Sequence, residues 1–186
     1  SYKILVYSAS LFLEMNPLPA YKITFSGLKE GNHNFNFEVS NQLFLSFKYL
    51  EFNNCKISAD VNLIKKSNLL EIEIKSKGTI NLNCHVSDES FDYDHSEHYK
   101  FVVKFGNSFN DEDPEMLVVP FGTYEINLSQ QLYEMIVLSL PLKVVHPGIN
   151  DGTLKSKTLK RLKDFQNRKI DSKNSDPRWD KLKDLK

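Results

Sequence analysis

The sequence predicts an α+β protein: an antiparallel, strongly bent or barrel-like β-sheet with one buried helix and a basic C-terminal helical tail. Three observations support this prediction. Apolar and polar side chains alternate along several runs, and the longest alternation covers residues 70–86. A later run, residues 129–140, is apolar on most sides, as expected for a buried helix. Residues 151–186 hold 12 basic and 6 acidic side chains, and the apolar side chains among them, from Leu154 to Phe165, would lie toward one side of a helix.

The composition is that of a folded protein. Of the 186 residues, 40% are hydrophobic and 12% are aromatic, which excludes wholesale disorder. The two cysteines, Cys55 and Cys84, are too few for a disulfide framework, so reduced thiols in a cytosol are the default and a single bridge is the alternative. No apolar window reaches the ~18 residues needed to cross a bilayer, so we expect no membrane contact.

Three segments are predicted. Residues 1–14 lack the features of a signal peptide, and Met15 is a more natural start, so we expect an extension outside the fold. An added edge strand at Lys3–Tyr7 is the alternative. Residues 15–150 form the β-rich body, and residues 151–186 form the basic tail. The net charge of zero hides a split, because the tail carries +6 and the remainder carries −6.

The body begins with two alternating runs, residues 21–26 and 33–39. The glycine-bounded turn between them, Gly27–Gly31, predicts that they form a hairpin. The apolar side chains of residues 41–50 have helical spacing, which indicates a short helix.

Longer strands follow. Residues 57–63 and 70–86 alternate strictly, and the second run carries Ser76 and Gly78 at its middle. Small residues inside a long strand mark a bend or the close approach of another backbone. Further strands are predicted at residues 99–105, 116–119 and 124–128.

Helices complete the prediction. Asn127 and Gln130 resemble a capping box at the start of the buried helix. Asp176 followed by Pro177 marks the start of a second helix in the tail. Trp179 on that helix can stack a nucleic-acid base or dock on the sheet, and docking is the simpler interpretation.

No catalytic constellation is visible. The chain has no Gly-x-Ser-x-Gly elbow, no Gly-rich phosphate loop and no His-Glu-x-x-His, so we predict no catalytic residue and no enzymatic activity. A metal site would involve Cys84, but Ser87 stands where a second cysteine would complete a zinc-binding pair. Cys84 shares the apolar face of its run and is interpreted as a buried small hydrophobe, so we predict no metal and no cofactor. Residues 87–98 are interpreted as an acidic surface loop.

Two charged surfaces are candidate binding sites. The tail is the candidate RNA-binding surface, because lysine and arginine on several helical faces neutralise phosphates, although a merely solvated helix is the alternative. Its members are Lys155, Lys157, Lys160, Arg161, Lys163, Arg168, Lys169 and Arg178. The segment Asp88–Glu115 is the candidate surface for a basic partner. Its members are Asp92, Asp94, Glu97, Asp111, Glu112 and Asp113.

An ordered set of phrases resembles one protein family. They include Phe25-Ser-Gly-Leu-Lys-Glu-Gly, Lys77-Gly-Thr-Ile-Asn-Leu-Asn-Cys84, Val102-Val-Lys-Phe-Gly-Asn-Ser-Phe-Asn-Asp, Val145-His-Pro-Gly and Asp176-Pro-Arg-Trp-Asp-Lys-Leu. Together they resemble the YceD-like family, in the branch that lacks the paired cysteines. The resemblance runs from about Met15 to the C-terminus.

The resemblance implies a bacterial, cytoplasmic protein needed for normal accumulation of large-subunit ribosomal RNA, and therefore a factor in ribosome assembly. The expected partners are ribosomal RNA or a pre-ribosomal particle, and a ribosomal protein; no small-molecule substrate is expected. Other members carry a second cysteine three residues after the position of Cys84, and its absence here removes the case for a shared zinc site. From the residues alone, a β-rich module that binds a small molecule or peptide remains the alternative function.

Overall fold

The computed structural model describes residues 18–154 and 157–167. The strands are β1 Lys22–Thr24, β2 Gly31–Ser40, β3 Asn54–Lys65, β4 Leu69–Asn83, β5 Ser90–Gly106, β6 Asn110–Asp113, β7 Met116–Pro120 and β8 Glu125–Asn127. The helices are α1 Asn41–Ser46, α2 Ser129–Leu138, α3 Pro147–Asn150 and α4 Lys157–Asn167. A 3-10 turn, Pro19–Tyr21, precedes β1.

The larger sheet has the strand order β2-β3-β4-β5-β7-β6. Strands β2 to β5 are joined as antiparallel neighbours, but β7 lies between β5 and β6 and runs parallel to β5. Within the described residues the sheet is mixed and open, with β2 and β6 at its edges. The expected antiparallel, barrel-like sheet is therefore not confirmed. The reason is that β6 and β7 form a hairpin whose second strand, rather than its first, pairs with β5.

The predicted hairpin across Gly27–Gly31 is wrong, because β1 pairs with β8 and forms a second, two-stranded sheet. The turn instead leads from this small sheet to the edge of the larger one. Lys65, at the end of β3, fixes the turn. Its ammonium group donates hydrogen bonds to the carbonyl oxygens of Phe25, Ser26 and Leu28, at 2.9, 3.4 and 2.8 Å.

The core is formed by the inward face of the larger sheet, the helices α1 and α2, and the small β1–β8 sheet, which contributes Ile23 and Ile126. Helix α2 buries Leu132 and Ile136 completely, as predicted for residues 129–140. Leu138, however, is 81% exposed, so α2 is buried along one side rather than on most sides.

The capping box predicted from Asn127 and Gln130 does not form, because Leu128 occupies the cap position of α2 and makes no side-chain hydrogen bond there. The Asn127 side chain accepts a hydrogen bond from the backbone N–H of Ser129 at 2.8 Å, which satisfies one of the free donors at the helix start. The Gln130 side chain does not return to the cap; its amide donates to the Glu134 carboxylate at 2.9 Å, one turn along the helix.

The close backbone approach predicted in the middle of β4 is confirmed at Gly78. A Cβ atom there would lie 2.1 Å from the carbonyl oxygen of Lys56 and 2.7 Å from the Cα of Ile57, both in the backbone of β3. Only glycine fits at this distance.

The acidic segment is largely a strand, so the interpretation of residues 87–98 as a surface loop is wrong. Strand β5 begins at Ser90, and its alternation places Asp92 and Asp94 on the solvent face while His95 is buried. Strand β4 ends at Asn83, before the sequence alternation does, because a turn follows directly. The turn brings β5 back antiparallel to β4.

The tail contains α4, in agreement with the predicted basic helix. The expected extension at residues 1–14 and the helix start at Asp176 lie outside the described residues. None of the described helices is long and apolar enough to span a bilayer.

Candidate binding surfaces

Helix α4 presents three of the predicted RNA-binding side chains. Lys157, Lys160 and Arg161 are exposed, while Leu159 between them is partly buried. The spacing of three and four residues places the cations on neighbouring positions of one helix face. At 1.5 Å rise per residue, they span only ~6 Å along the axis. Such a group can contact adjacent phosphates of one nucleic-acid strand.

The other predicted cations are outside the described part of the chain. They are Lys155, Arg168, Lys169, Arg178 and the side chain of Lys163.

The predicted acidic surface is divided among separate places. Asp92 and Asp94 lie on the outward face of β5, whereas Asp111–Asp113 lie on β6 at the sheet edge. The register places Asp113 level with Val102 of β5 through β7. Val102 lies eight residues after Asp94 on β5, so Asp113 is displaced from Asp94 by ~27 Å along the strand direction. Glu97 shares the inward face of β5 with His95, so it does not join either group.

A cavity of about 490 Å³ lies beside Glu97, between β5, the β6–β7 turn and α2. We call it the acidic cavity. It is lined by Glu97, His98, Tyr99, Pro114, Gln131, Glu134, Met135, Leu138 and Ser139. The Tyr99 hydroxyl donates a hydrogen bond to the carbonyl oxygen of Pro114, which fixes the hairpin turn against β5.

Carboxylates surround the Tyr99 phenol in the acidic cavity. Burial raises the pKa of the Tyr99 phenol, and the carboxylates of Glu134, Asp113 and Glu115 raise the pKa further. The side-chain Oε1 of Gln131 is buried, and no hydrogen-bond donor reaches it among residues 18–154 and 157–167. The carboxylates of Glu97 and Glu134 therefore offer acceptors and negative charge to a ligand, whereas Oε1 of Gln131 is enclosed in the cavity wall.

A second cavity, of about 380 Å³, lies on the other side of Gln131. Its walls are mainly apolar, and the apolar members are Phe47, Phe109, Leu117, Val119, Pro120 and Ile126. Phe47 stacks on Tyr133 of α2, with ring centroids 4.2 Å apart and planes 6° from parallel. We call this cavity the apolar groove.

A buried serine–histidine pair joins the sheet to α2. The Ser76 Oγ lies 2.7 Å from Nε2 of His95, and the Ser139 Oγ lies 3.2 Å from its Nδ1. Because the Ser139 hydroxyl donates to the carbonyl oxygen of Ile136, it accepts from Nδ1–H, and the Ser76 hydroxyl then donates to Nε2. Burial lowers the pKa of His95. Ser76 is 0% and His95 3% exposed, so this pair holds α2 on the sheet and does not face a substrate.

Cys84 is buried at the turn after β4, where its Sγ accepts hydrogen bonds from the backbone N–H groups of Val86 and His146. Burial opposes ionisation of the thiol, but hydrogen bonds from the Ser87 hydroxyl and from these backbone groups outweigh it. Together they lower the pKa of Cys84 to about 7. Within the described residues no group of three or more His, Cys, Asp or Glu side chains is arranged to hold a metal ion.

The comparison with protein families gives one match. The family model described as "Large ribosomal RNA subunit accumulation protein YceD" matches residues 72–186, which is more than half of the chain. The chain belongs to the YceD family. The match to the YceD family begins within β4 and includes the acidic cavity, the apolar groove residues from Phe109 onward, and α4. No curated protein and no solved structure matches the chain.

The sequence did not reveal the acidic cavity. Glu97 was among the predicted acidic residues, but Tyr99, Gln131 and Glu134 were not recognised as part of a site. The one available signal was the spacing of Gln131 and Glu134, which places two polar side chains on neighbouring turns of α2.

Proposed function

We propose that the chain is a non-enzymatic, cytoplasmic binding factor that supports accumulation of large-subunit ribosomal RNA during ribosome assembly. Membership of the YceD family supports the ribosome-related role. The observation that carries an RNA contact is the exposed cationic face of α4, formed by Lys157, Lys160 and Arg161.

The division of charge between tail and body supports an RNA contact through the tail. The tail carries +6 and the remainder of the chain −6, so a polyanion is attracted by one and repelled by the other. Each lysine or arginine that neutralises a phosphate releases counterions, so affinity falls as salt rises. Binding would orient the body away from the RNA and leave its surfaces available to a protein partner.

Binding rather than catalysis is also supported by the described titratable groups. Ser76 and His95 are enclosed between the sheet and α2, and their geometry accounts for a structural role. His146 donates its backbone N–H to Cys84 and accepts from the N–H of Gly148 through Nδ1, at 2.9 Å, so its ring has a structural partner.

The test is binding to a fragment of large-subunit ribosomal RNA at several salt concentrations. We expect the variant with Lys157→Gln, Lys160→Gln and Arg161→Gln to bind more weakly. The slope of log affinity against log salt should also become shallower by about two to three, at ~0.7–0.9 per phosphate contact.

The control variant carries the same loss of three charges on the body, at the exposed residues Lys29, Lys56 and Lys77. It should keep the native slope. A native slope in the α4 variant, or an equal loss in both variants, would contradict the proposal. Co-sedimentation with large-subunit precursors provides a second readout.

The apolar groove favours a second candidate function, a module that binds a small apolar molecule or peptide. Its volume of about 380 Å³ falls within the range of small-ligand sites, and polar side chains such as Thr123 and Gln130 lie among its apolar walls. A Phe109→Asp substitution should abolish binding of such a ligand and leave RNA binding unchanged, because Phe109 is 55% exposed and outside α4.

A further inference from the structure

We infer that the acidic cavity is a docking site for a lysine or arginine side chain on a basic segment of a partner protein. This inference rests on the proposed function, to which it adds a protein contact separate from the RNA contact of α4.

The lining of the cavity matches such a side chain. Tyr99, Met135 and Leu138 supply aromatic and aliphatic walls, and the carboxylates of Glu97 and Glu134 supply negative charge. Lysine and arginine combine an apolar stem with a cationic head, so one side chain uses both features. The face of a tyrosine ring also attracts ammonium and guanidinium groups.

Gln131 gives an independent argument for a ligand that donates hydrogen bonds. Its Oε1 is buried in the wall shared by the two cavities, and none of the described residues donates to it. A buried acceptor without a partner is unfavourable. Because Oε1 is enclosed by the protein, an N–H group of a ligand satisfies it only after the Gln131 side chain rotates toward the acidic cavity, and the Gln131 side-chain amide signal would report that rotation. Lysine and arginine carry donors only, and they match a site that offers acceptors.

Charge decides between protein and RNA as the occupant. Glu97 and Glu134 line the cavity, and Asp113 and Glu115 add their charge at Tyr99. A phosphate is repelled from such a site, whereas a basic segment is attracted. Proteins that assemble on RNA carry basic segments, so a partner in the same particle is a natural source.

The experiment is an NMR titration of the full chain with the acetylated and amidated peptide Gly-Arg-Gly-Lys-Gly-Arg-Gly. We expect saturable shifts of the Gln131 side-chain amide and of the Tyr99 and Glu134 backbone amides. A peptide with citrulline and norleucine in place of arginine and lysine should cause no shifts there. Shifts with the neutral peptide, or none with the basic one, would overturn the inference.

Matched variants separate the cavity from general electrostatic attraction. Glu97→Gln with Glu134→Gln should weaken peptide binding at least tenfold. Asp92→Asn with Asp94→Asn removes the same charge, but from the outward face of β5, and should change the affinity less than twofold. Equal weakening by both pairs would overturn the inference.

Two further outcomes bear on the identity of the occupant. If an Arg178→Gln substitution shifts the Gln131 side-chain amide without peptide, the chain's own tail fills the cavity and the partner proposal is wrong. The Glu97→Gln, Glu134→Gln variant should keep the native salt slope of RNA binding. The two ideas can therefore fail separately: the Glu97→Gln, Glu134→Gln variant tests the cavity through peptide binding, and the α4 variant tests the proposed function through RNA binding.

Discussion

The close approach of Gly78 to the backbone of β3 provides a sharp test of the structure. Replacing Gly78 by alanine adds a Cβ that would lie 2.1 Å from the carbonyl oxygen of Lys56 and 2.7 Å from the Cα of Ile57. Both atoms belong to the backbone of β3, so no side chain can move aside. Real Cβ atoms keep at least 3.0 Å, and β3 and β4 must therefore separate locally by about 0.9 Å.

The expected loss of stability follows from this separation. Overpacking of a rigid site costs about 1–3 kcal/mol. Weakening one or two ladder hydrogen bonds between β3 and β4 adds about 0.5–1.5 kcal/mol for each bond. We therefore expect Gly78→Ala to lower the free energy of unfolding by about 1.5–6 kcal/mol.

Urea unfolding measures this change directly. With a slope of about 1–3 kcal/mol per molar urea, the midpoint should fall by at least ~0.5 M. The matched control is Gly27→Ala, because a Cβ at Gly27 meets no atom within 4 Å and its backbone conformation suits alanine. The control should be neutral or slightly more stable, since alanine restricts the unfolded chain. Equal midpoints for the two variants would refute the reasoning.

Three other predictions concern buried or bonded side chains. Because burial lowers the pKa of His95, the unfolded chain binds its proton more tightly, and the free energy of unfolding should fall as pH drops below ~6.5. In urea unfolding between pH 7 and 5, His95→Gln should remove the part of the fall in stability that comes from His95. An unchanged pH dependence would contradict this prediction. Thiolate absorbance should show Cys84 titrating near pH 7 and Cys55 only near 12, where burial raises its pKa, whereas two titrations near 9 would show that these environments are wrong. Lys65→Met should lower the free energy of unfolding by about 1–3 kcal/mol, because it removes the donor to three turn carbonyls. Lys66→Met removes an exposed ion pair and should change the free energy of unfolding by less than ~1 kcal/mol. Similar values for Lys65→Met and Lys66→Met would contradict the proposed stabilisation of the turn by Lys65.

The strands could be predicted from the sequence where one face is buried. The alternation in residues 57–63 and 70–86 reports which side chains face the core, and β3 and β4 are found there. Gly78 was predicted as a close approach because glycine has no Cβ to clash. Periodicity does not report which strands are neighbours, so the pairing of β1 with β8 and the insertion of β7 beside β5 were missed.

The acidic strand was missed for a related reason. Asp92 and Asp94 gave the segment the composition of a loop, although Phe91, Tyr93 and His95 alternate with them. The polar side chains on the solvent face of a half-buried strand give it the same composition as a loop. The alternation was the more reliable signal, because the sheet buries every second side chain.

The two candidate sites differ in how far the sequence can reveal them. The cations of α4 lie close together in the chain, so their spacing alone places them on one helix face. The acidic cavity joins Glu97 of β5 to Glu134 of α2. Only the packing of the helix on the sheet brings these distant positions to one cavity.

The most direct test of the proposed function is the level of large-subunit ribosomal RNA in cells whose only copy of the protein carries the Lys157→Gln, Lys160→Gln and Arg161→Gln substitutions. The cationic face of α4 is proposed to make the RNA contact, so the level should fall relative to the native chain at equal protein abundance. The body control with Lys29, Lys56 and Lys77 replaced by glutamine should keep the native level. A native RNA level in the α4 variant would contradict the account.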